Sequence, residues 1–349
     1  MLIGSIKEHN DAETRVALTP TVVQKLIDNG HSVLLEQEYG IKAGFTDKDY
    51  QDVGAYITSN TTNIYSKSQI ILQILPPTQE MLALLTNQQT VAADFRNFIF
   101  TYIPKDLNII RLELVPRTSI AQSIDILSAQ NTIRGYMGAL YALYHSPRIA
   151  PQLMTAAASI KAATALIIGT SVTGLQAASV FKRQGCRVTI VDINEKSKEL
   201  AQSVGAEFAM APNKEELNKL LTNKNFILAA AATPNGNSPQ VITAEQLEYT
   251  ANGAVIVDST TQNIGLSENQ NKDLHYHFYR NLYLERLAPE SASTLWANNM
   301  YNLISLITTE NNNIDLSLNY IAPMVYTPRP SHTPRPPAPF YIHPSSTQQ

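Results

Sequence analysis

The chain has 349 residues, 44% of them apolar, and 26 Lys and Arg against 29 Asp and Glu give a formal net charge of -3. That length predicts two domains with a large buried core, and a charge this balanced, with no long basic run, argues against a nucleic-acid partner. One cysteine, Cys186, excludes intramolecular disulfides, suits a reducing cytoplasm, and reads as core filler at the start of a strand; no apolar run is long enough to span a bilayer, and the N-terminus has no secretion-signal pattern.

Taken in chain order, Leu2–Ile6 reads as a first strand. Thr19-Pro20 has the form of an N-cap with Pro at the first helical position, leading a helix to about Asn29 that Gly30 stops. Ser32–Glu36, the strongly apolar Ile70–Leu75 closed by Pro76-Pro77, Thr90–Ala93 and Ile109–Leu112 read as further strands, so this half forms an α/β layer on a parallel sheet. A long amphipathic stretch, about Ala121 to Tyr144, follows.

Thr164-Ala-Leu-Ile-Ile-Gly-Thr-Ser-Val-Thr-Gly174 is the most informative segment. Its apolar run predicts a buried parallel strand ending at Gly169. A helical pattern follows (Leu175, Ala178, Val180, Phe181) and stops at Gly185, and Arg187–Val191 form a second strand that ends in Asp192, 23 positions after Gly169. This order and spacing fit a dinucleotide-binding βαβ unit. Gly169 allows the tight turn and Gly174 close helix–strand packing. Gly169, Thr170, Ser171, Val172 and Gly174 form the pyrophosphate cradle at a helix N-terminus. Asp192 accepts from the adenosine ribose hydroxyls and repels a 2′-phosphate, which predicts NAD(H) rather than NADP(H). Ser171 stands where the pattern has its middle glycine, so an ordinary βαβ crossover without a nucleotide is the competing reading.

A helix near Lys196–Val204 and strands at Phe226–Ala230 and Ala254–Val257, the latter ending at Asp258, continue the second unit. The 231–236 loop reads as a rim of the adenosine pocket, and Gln262 and Asn263, beyond a strand end, as contacts on the nicotinamide side. His275 and His277 alternate on a possible strand with no third ligand in view, so no metal is expected. A last helix, about Ser291–Thr308, crosses back to the first domain. From Pro323 onward a tail crowded with Pro reads as extended or disordered, a docking arm or a loose end. The fold class is therefore α/β: two Rossmann-like, doubly wound parallel-sheet domains joined by long helices. Residues 1–125 with 300–322 form the first domain, 126–148 a linking helix, 149–290 the NAD-binding domain, 291–309 the return helix and 323–349 the tail.

Three further segments carry a family likeness: Glu13-Thr-Arg-Val-Ala-Leu-Thr-Pro20, Val115-Pro-Arg-Thr-Ser-Ile-Ala-Gln-Ser-Ile-Asp-Ile-Leu-Ser128, and Gly253-Ala-Val-Ile-Val-Asp-Ser-Thr-Thr-Gln-Asn263. With the glycine unit, they resemble the alanine dehydrogenase / pyridine nucleotide transhydrogenase family over about residues 1–310, and the second segment resembles its transhydrogenase branch in particular. The resemblance implies a proton-translocating, Si-side-specific NAD(P) transhydrogenase component, active only with partner subunits. It would bind NAD(H), with NADP(H) on a β subunit, and work beside membrane-spanning subunits as a homodimer, cytoplasmic and peripheral to the inner membrane. It also implies that Arg117, Gln122 and Asp125, with Ser128, contact the nicotinamide end. Gln122, Asp125 and Ser128 are three apart and on a helix would share one face, with Arg117 holding Asp125; Ser119 and Gln122 equally have capping-box spacing. Arg15 stands where alanine dehydrogenases hold a substrate carboxylate, or pairs with Glu13 at the surface.

Departures from the family shape the reading too. Gln73 replaces a usual Lys, no His lies between His31 and His145, and the lid region Tyr279–Pro289 matches poorly. Oxidising an amino acid to a keto acid needs a proton acceptor, so these absences weigh against alanine dehydrogenase chemistry, whereas direct hydride transfer between two nicotinamides needs positioning and water exclusion. An amino-acid dehydrogenase relative and a drifted, non-catalytic NAD-binding protein remain the alternatives.

Overall fold

The computed structural model describes residues 1–85, 88–96, 98–100, 107–210, 213–233, 238–266, 275–280 and 282–326. Short β-branched runs closed by polar or glycine residues build the first sheet. Its elements are β1 (Leu2–Ser5), α1 (Pro20–Asp28), β2 (Ser32–Glu36), α2 (Asp47–Asp52), β3 (Tyr56–Thr58), α3 (Thr61–Lys67), β4 (Ile70–Leu72), α4 (Gln79–Ala83), β5 (Thr90–Ala93) and β6 (Asn108–Arg111). The six strands run parallel in the order β3-β2-β1-β4-β5-β6. Helix α5 (Ile126–Tyr144) leads to the second domain.

The second domain comprises β7 (Thr164–Ile168), α6 (Val172–Arg183), β8 (Arg187–Asp192), α7 (Ser197–Ser203), β9 (Glu207–Met210), α8 (Lys214–Leu221), β10 (Phe226–Ala229), β11 (Ala254–Asp258) and β12 (Tyr276–Arg280). The six strands of its main sheet are all parallel, in the order β9-β8-β7-β10-β11-β12. Both faces of β7 are buried: Ala165 and Ile167 join Ala177, Phe181 and Phe226 on one side, while Leu166 and Ile168 join Ile227, Ile242 and Leu247 on the other. Such two-sided burial explains why the strand reads as an uninterrupted apolar run.

Helix α9 (Pro289–Ile307) returns to the first domain and seats Trp296, Met300, Leu303 and Ile304 against Ile3, Val33 and Leu35. Its Pro289 start lies two residues before the expected one, with Pro at a position whose N–H needs no partner. The chain then adds β13 (Val325–Tyr326) antiparallel to β6. That strand corrects the expected tail boundary at Pro323: Met324 is fully buried, and the first sheet uses the chain through Tyr326. Residues 327–349 lie outside the described residues.

Two more expectations change. β4 stops at Leu72, short of Leu75, because the Ile74 and Leu75 N–H groups leave the ladder and donate to the Glu8 carboxyl at 2.7 and 3.0 Å. The stretch from Ala121 to Tyr144 is not one helix. A 3-10 turn over Ala121–Ile124 breaks at Asp125, whose φ of -75° and ψ of 91° are non-helical, before α5 begins. Among the described residues no helix is long and apolar enough to cross a membrane.

Candidate nucleotide-binding site

In the second sheet the strand order reverses between β7 and β10, so the loops after these strands part and leave a crevice at their carboxyl ends. Gly169 turns out of β7 with φ +94°, a left-handed conformation, and a Cβ there would stand 2.8 Å from Ala231 Cα on the facing loop. Gly174 lies in the first turn of α6, where a Cβ would come 2.2 Å from the Gly169 carbonyl oxygen. The two glycines thus let helix and strand close on each other. α6 carries Lys182 and Arg183 in its last turn and no acid in its first, and the first-turn N–H groups of Val172 and Thr173 have no carbonyl one turn earlier to receive them. Donors and dipole together favour an anion at this end.

Ser171 is the N-cap of α6, with φ -61° and ψ 167°, backbone angles any residue adopts. Its hydroxyl donates to the Ala230 carbonyl at 2.7 Å and accepts from the Gly174 N–H at 3.3 Å. The side chain is therefore turned into the protein, tying the glycine turn to the end of β10. A serine serves here because the site needs a cap more than it needs a glycine's freedom.

Asp192 closes the other side. Its Oδ2 accepts the Thr170 N–H at 2.9 Å and the Thr170 hydroxyl at 2.6 Å, and its Oδ1 accepts the Asn194 N–H at 3.0 Å. Partial burial opposes ionisation, but bonds from the Thr170 hydroxyl and from backbone N–H groups outweigh it and hold the carboxyl below its ordinary range. A carboxylate kept charged at a strand end is suited to ribose hydroxyls and repels a 2′-phosphate.

Beyond β11 the structure separates Gln262 from Asn263. Gln262 is exposed. Asn263 is fully buried: its amide donates to the Ala231 and Pro239 carbonyls at 3.0 and 2.7 Å, and its Oδ1 accepts the Ala231 N–H at 2.7 Å. This corrects its expected role as a direct nicotinamide contact, since its polar atoms are spent stapling the loop after β10 to the loop after β11. Residues 234–237 of the expected adenosine rim lie outside the described residues. Asp258 is likewise internal, bonded to Thr260, Ile264 and Arg280.

The first-domain candidates lie at the start of α5. Asp125 caps the helix, its Oδ1 accepting the Ser128 N–H at 3.0 Å and its Oδ2 the Ser128 hydroxyl at 2.6 Å. Gln122 sits on the preceding 3-10 turn, exposed, as are Arg117 and Ser128. The break at Asp125 means that Gln122, Asp125 and Ser128 do not share the face of one helix. The Ser119–Gln122 capping box is also not formed, because the Gln122 N–H donates to the Thr118 carbonyl at 3.1 Å instead. Asn131, six residues or about 9 Å along the helix from Asp125, accepts from the Thr173 hydroxyl of α6 at 3.2 Å. The segment therefore stands close to the mouth of the crevice.

Between the domains lies a charged cluster that local patterns do not reveal. Glu13 is buried and holds Arg15 through both oxygens, at 2.7 and 2.8 Å, and Arg286 at 2.9 Å. Arg15 also donates to Gln130 at 2.9 Å and lies over the Trp296 ring. The pair with Glu13 is real but buried, not at the surface. Arg134 binds Glu285 at 2.7 and 3.0 Å; burial opposes that charge, yet the neighbouring guanidinium holds the Glu285 carboxyl at about 2. The region compared with a lid is thus tied to the first domain. Arg15, Arg96, Gln130, Arg134 and Trp296 line a narrow cleft beside this network. Glu8 differs: burial pushes its carboxyl up to about 8 against the two backbone N–H bonds that lower it. Cys186 is buried, which raises its thiol to about 11.

With this geometry in view, comparison with known proteins is decisive for the family. Residues 4–134 match the family described as alanine dehydrogenase/PNT, N-terminal domain, and residues 138–330 its C-terminal domain. The chain belongs to the alanine dehydrogenase/PNT family. It is 31% identical to the first part of the NAD(P) transhydrogenase alpha subunit of Rickettsia prowazekii, covering 87% of this chain and 89% of that one. It is 30% identical to the protein of the same name from Rhodospirillum rubrum, over 77% and 79%, and 25% identical to alanine dehydrogenase of Bacillus subtilis, over 77% and 72%. Its fold superposes on transhydrogenase from Sinorhizobium meliloti with a TM-score of 0.85 at 24% identity, covering 94% and 98% of the two chains. L-alanine dehydrogenase follows, with a TM-score of 0.75 at 21% identity over 93% and 94%.

Proposed function

We propose that this chain is the NAD(H)-binding component of a proton-translocating NAD(P) transhydrogenase. The observation that carries the reading is the second-domain crevice, where the N-terminus of α6 opens behind Gly169 and Asp192 is held ionised on the opposite side. The Gly169–Gly174 turn and the Val172 and Thr173 N–H groups would hold the pyrophosphate, and Asp192 the adenosine ribose. Gln122, Asp125, Ser128, Arg117 and Gln262 would orient the nicotinamide, with Asn263 fixing the loop that carries Gln262. When bound, NADH supplies the hydride. The chain's own task is to hold the ring still and keep water away from it. The acceptor, NADP+, would sit on a β subunit, membrane-spanning subunits would couple transfer to proton movement, and the chain would act as a homodimer on the cytoplasmic side of the inner membrane.

The first-domain crevice supports this reading over an amino-acid dehydrogenase. That chemistry needs a proton acceptor and a free carboxylate anchor. Burial raises the Glu8 carboxyl to about 8, but both its oxygens accept backbone N–H groups, and Arg15 is spent on Glu13 and Gln130. An NADH fluorescence titration tests the proposal. Wild type should bind at micromolar levels, ~7–8 kcal/mol, and Asp192→Ala should lose about 30-fold or more, the scale of bonds to a charged group. No wild-type binding at millimolar NADH would refute it. Ammonia-dependent NADH oxidation with a keto acid by the purified chain would favour the dehydrogenase.

A further inference from the structure

The Asp192 carboxylate is short of acceptor sites for a ribose. A carboxylate offers about four lone-pair positions. Thr170 takes two on Oδ2, through its N–H at 2.9 Å and its hydroxyl at 2.6 Å, the Asn194 N–H takes one on Oδ1, and the Ile193 N–H also faces the carboxylate. The two ribose hydroxyls need two, so the protein's own bonds compete with them. The Thr170 hydroxyl, however, has a second oxygen in reach: Ser197 Oγ lies 2.7 Å away, at the start of α7 and 5% exposed.

We propose that Thr170 and Ser197 form a two-position hydrogen-bond switch that sets how well Asp192 grips the adenosine ribose. With the crevice free of nucleotide, Thr170 donates to Asp192. When the ribose arrives, the Thr170 hydroxyl turns its proton to Ser197 and leaves a lone pair of Oδ2 to the 2′-hydroxyl. Both oxygen–oxygen distances are already those of hydrogen bonds, so the reversal needs rotation of a proton and no movement of heavy atoms. Ser197 is then a positioning residue that acts through Thr170 and never touches the nucleotide. The inference rests on the NAD(H) reading of the site.

The experiment is a double-mutant cycle read by NADH titration of wild type, Ser197→Ala, Thr170→Val and the double variant, with thermal unfolding recorded for each. Ser197→Ala pins the Thr170 proton on Asp192 and should weaken NADH about fivefold to tenfold. In the Thr170→Val background the same change should cost less than about twofold, because there is no hydroxyl left to pin. 2′-Deoxy-NADH provides a control on folded protein: lacking the hydroxyl that competes for Oδ2, it should bind wild type and Ser197→Ala alike. Equal Ser197→Ala costs in both backgrounds, or an equal cost for the 2′-deoxy probe, would show a merely structural serine and overturn the switch. Failure of wild type to bind NADH at all would instead remove the nucleotide reading beneath it.

Discussion

The two sheets share one strand order, 3-2-1-4-5-6, and each therefore has a crevice where the order reverses. Their crevices nevertheless serve opposite ends. In the second sheet three residues, 169–171, lead from β7 into α6, so the helix N-terminus opens directly over the crevice. In the first sheet fourteen residues, 6–19, lie between β1 and α1, and their Glu8, Glu13 and Arg15 side chains are engaged by the protein's own groups. Topology supplies the recess; the length and chemistry of the first βα loop decide whether it receives a ligand or is sealed.

The largest effect should come from unsealing the first crevice. Glu13→Gln leaves Arg15 and Arg286 facing a neutral amide at a buried domain junction and should cost about 3–5 kcal/mol in urea unfolding. A loss below about 1 kcal/mol would show that charge does not hold that junction. In the second crevice, Gly174→Ala puts a Cβ against the Gly169 carbonyl, 2.2 Å away, where the obstacle is backbone. It should cost about 1–3 kcal/mol and weaken NADH binding more than any surface change on α6; unchanged binding would mean that the turn does not shape the site.

The contrast also has a pH signature. Glu8 keeps its proton in the folded chain up to about 8, against an ordinary 4.5. Between those values the folded state binds more protons than the unfolded, so this contribution to stability is full below pH 4.5 and is lost as pH rises to about 8. Melting curves across that window should show a decline of about 1–2 kcal/mol attributable to this group, short of the full shift because part of the side chain reaches solvent, and Glu8→Gln should flatten it. Asp192, shifted the other way, adds no such decline. The smallest effect belongs to Ser171→Gly. Its backbone is already ordinary and its hydroxyl faces Ala230, so stability should change by a few tenths of a kcal/mol and NADH affinity by less than about twofold. A large gain in affinity would show that the hydroxymethyl group had obstructed the pyrophosphate.

How far the site could be read in advance follows from how local its parts are. Gly169, Gly174 and Asp192 lie within one βαβ unit, where strand, turn and helix periods are visible in adjacent residues, and the unit forms at those positions. Asp125 was harder. A helical period runs through it, and only its role as an N-cap, with Ser128 on both its oxygens, reveals the break. Asn263 looked like any loop amide, because the carbonyls that consume it belong to residues 24 and 32 positions away. The strands β3 and β9 escaped notice because they are short, only partly buried and carry little alternation.

Alternating apolar runs, turn glycines and a well-spaced acid were enough to specify two α/β units and to set a glycine turn, a helix N-terminus and Asp192 side by side in the second, because those signals arise between residues that are neighbours along the chain. Which charged groups face a ligand and which are consumed inside the protein was settled only on folding. Arg286 meets Glu13 across 273 residues, and whether a polar atom is free depends on partners that no local pattern can name.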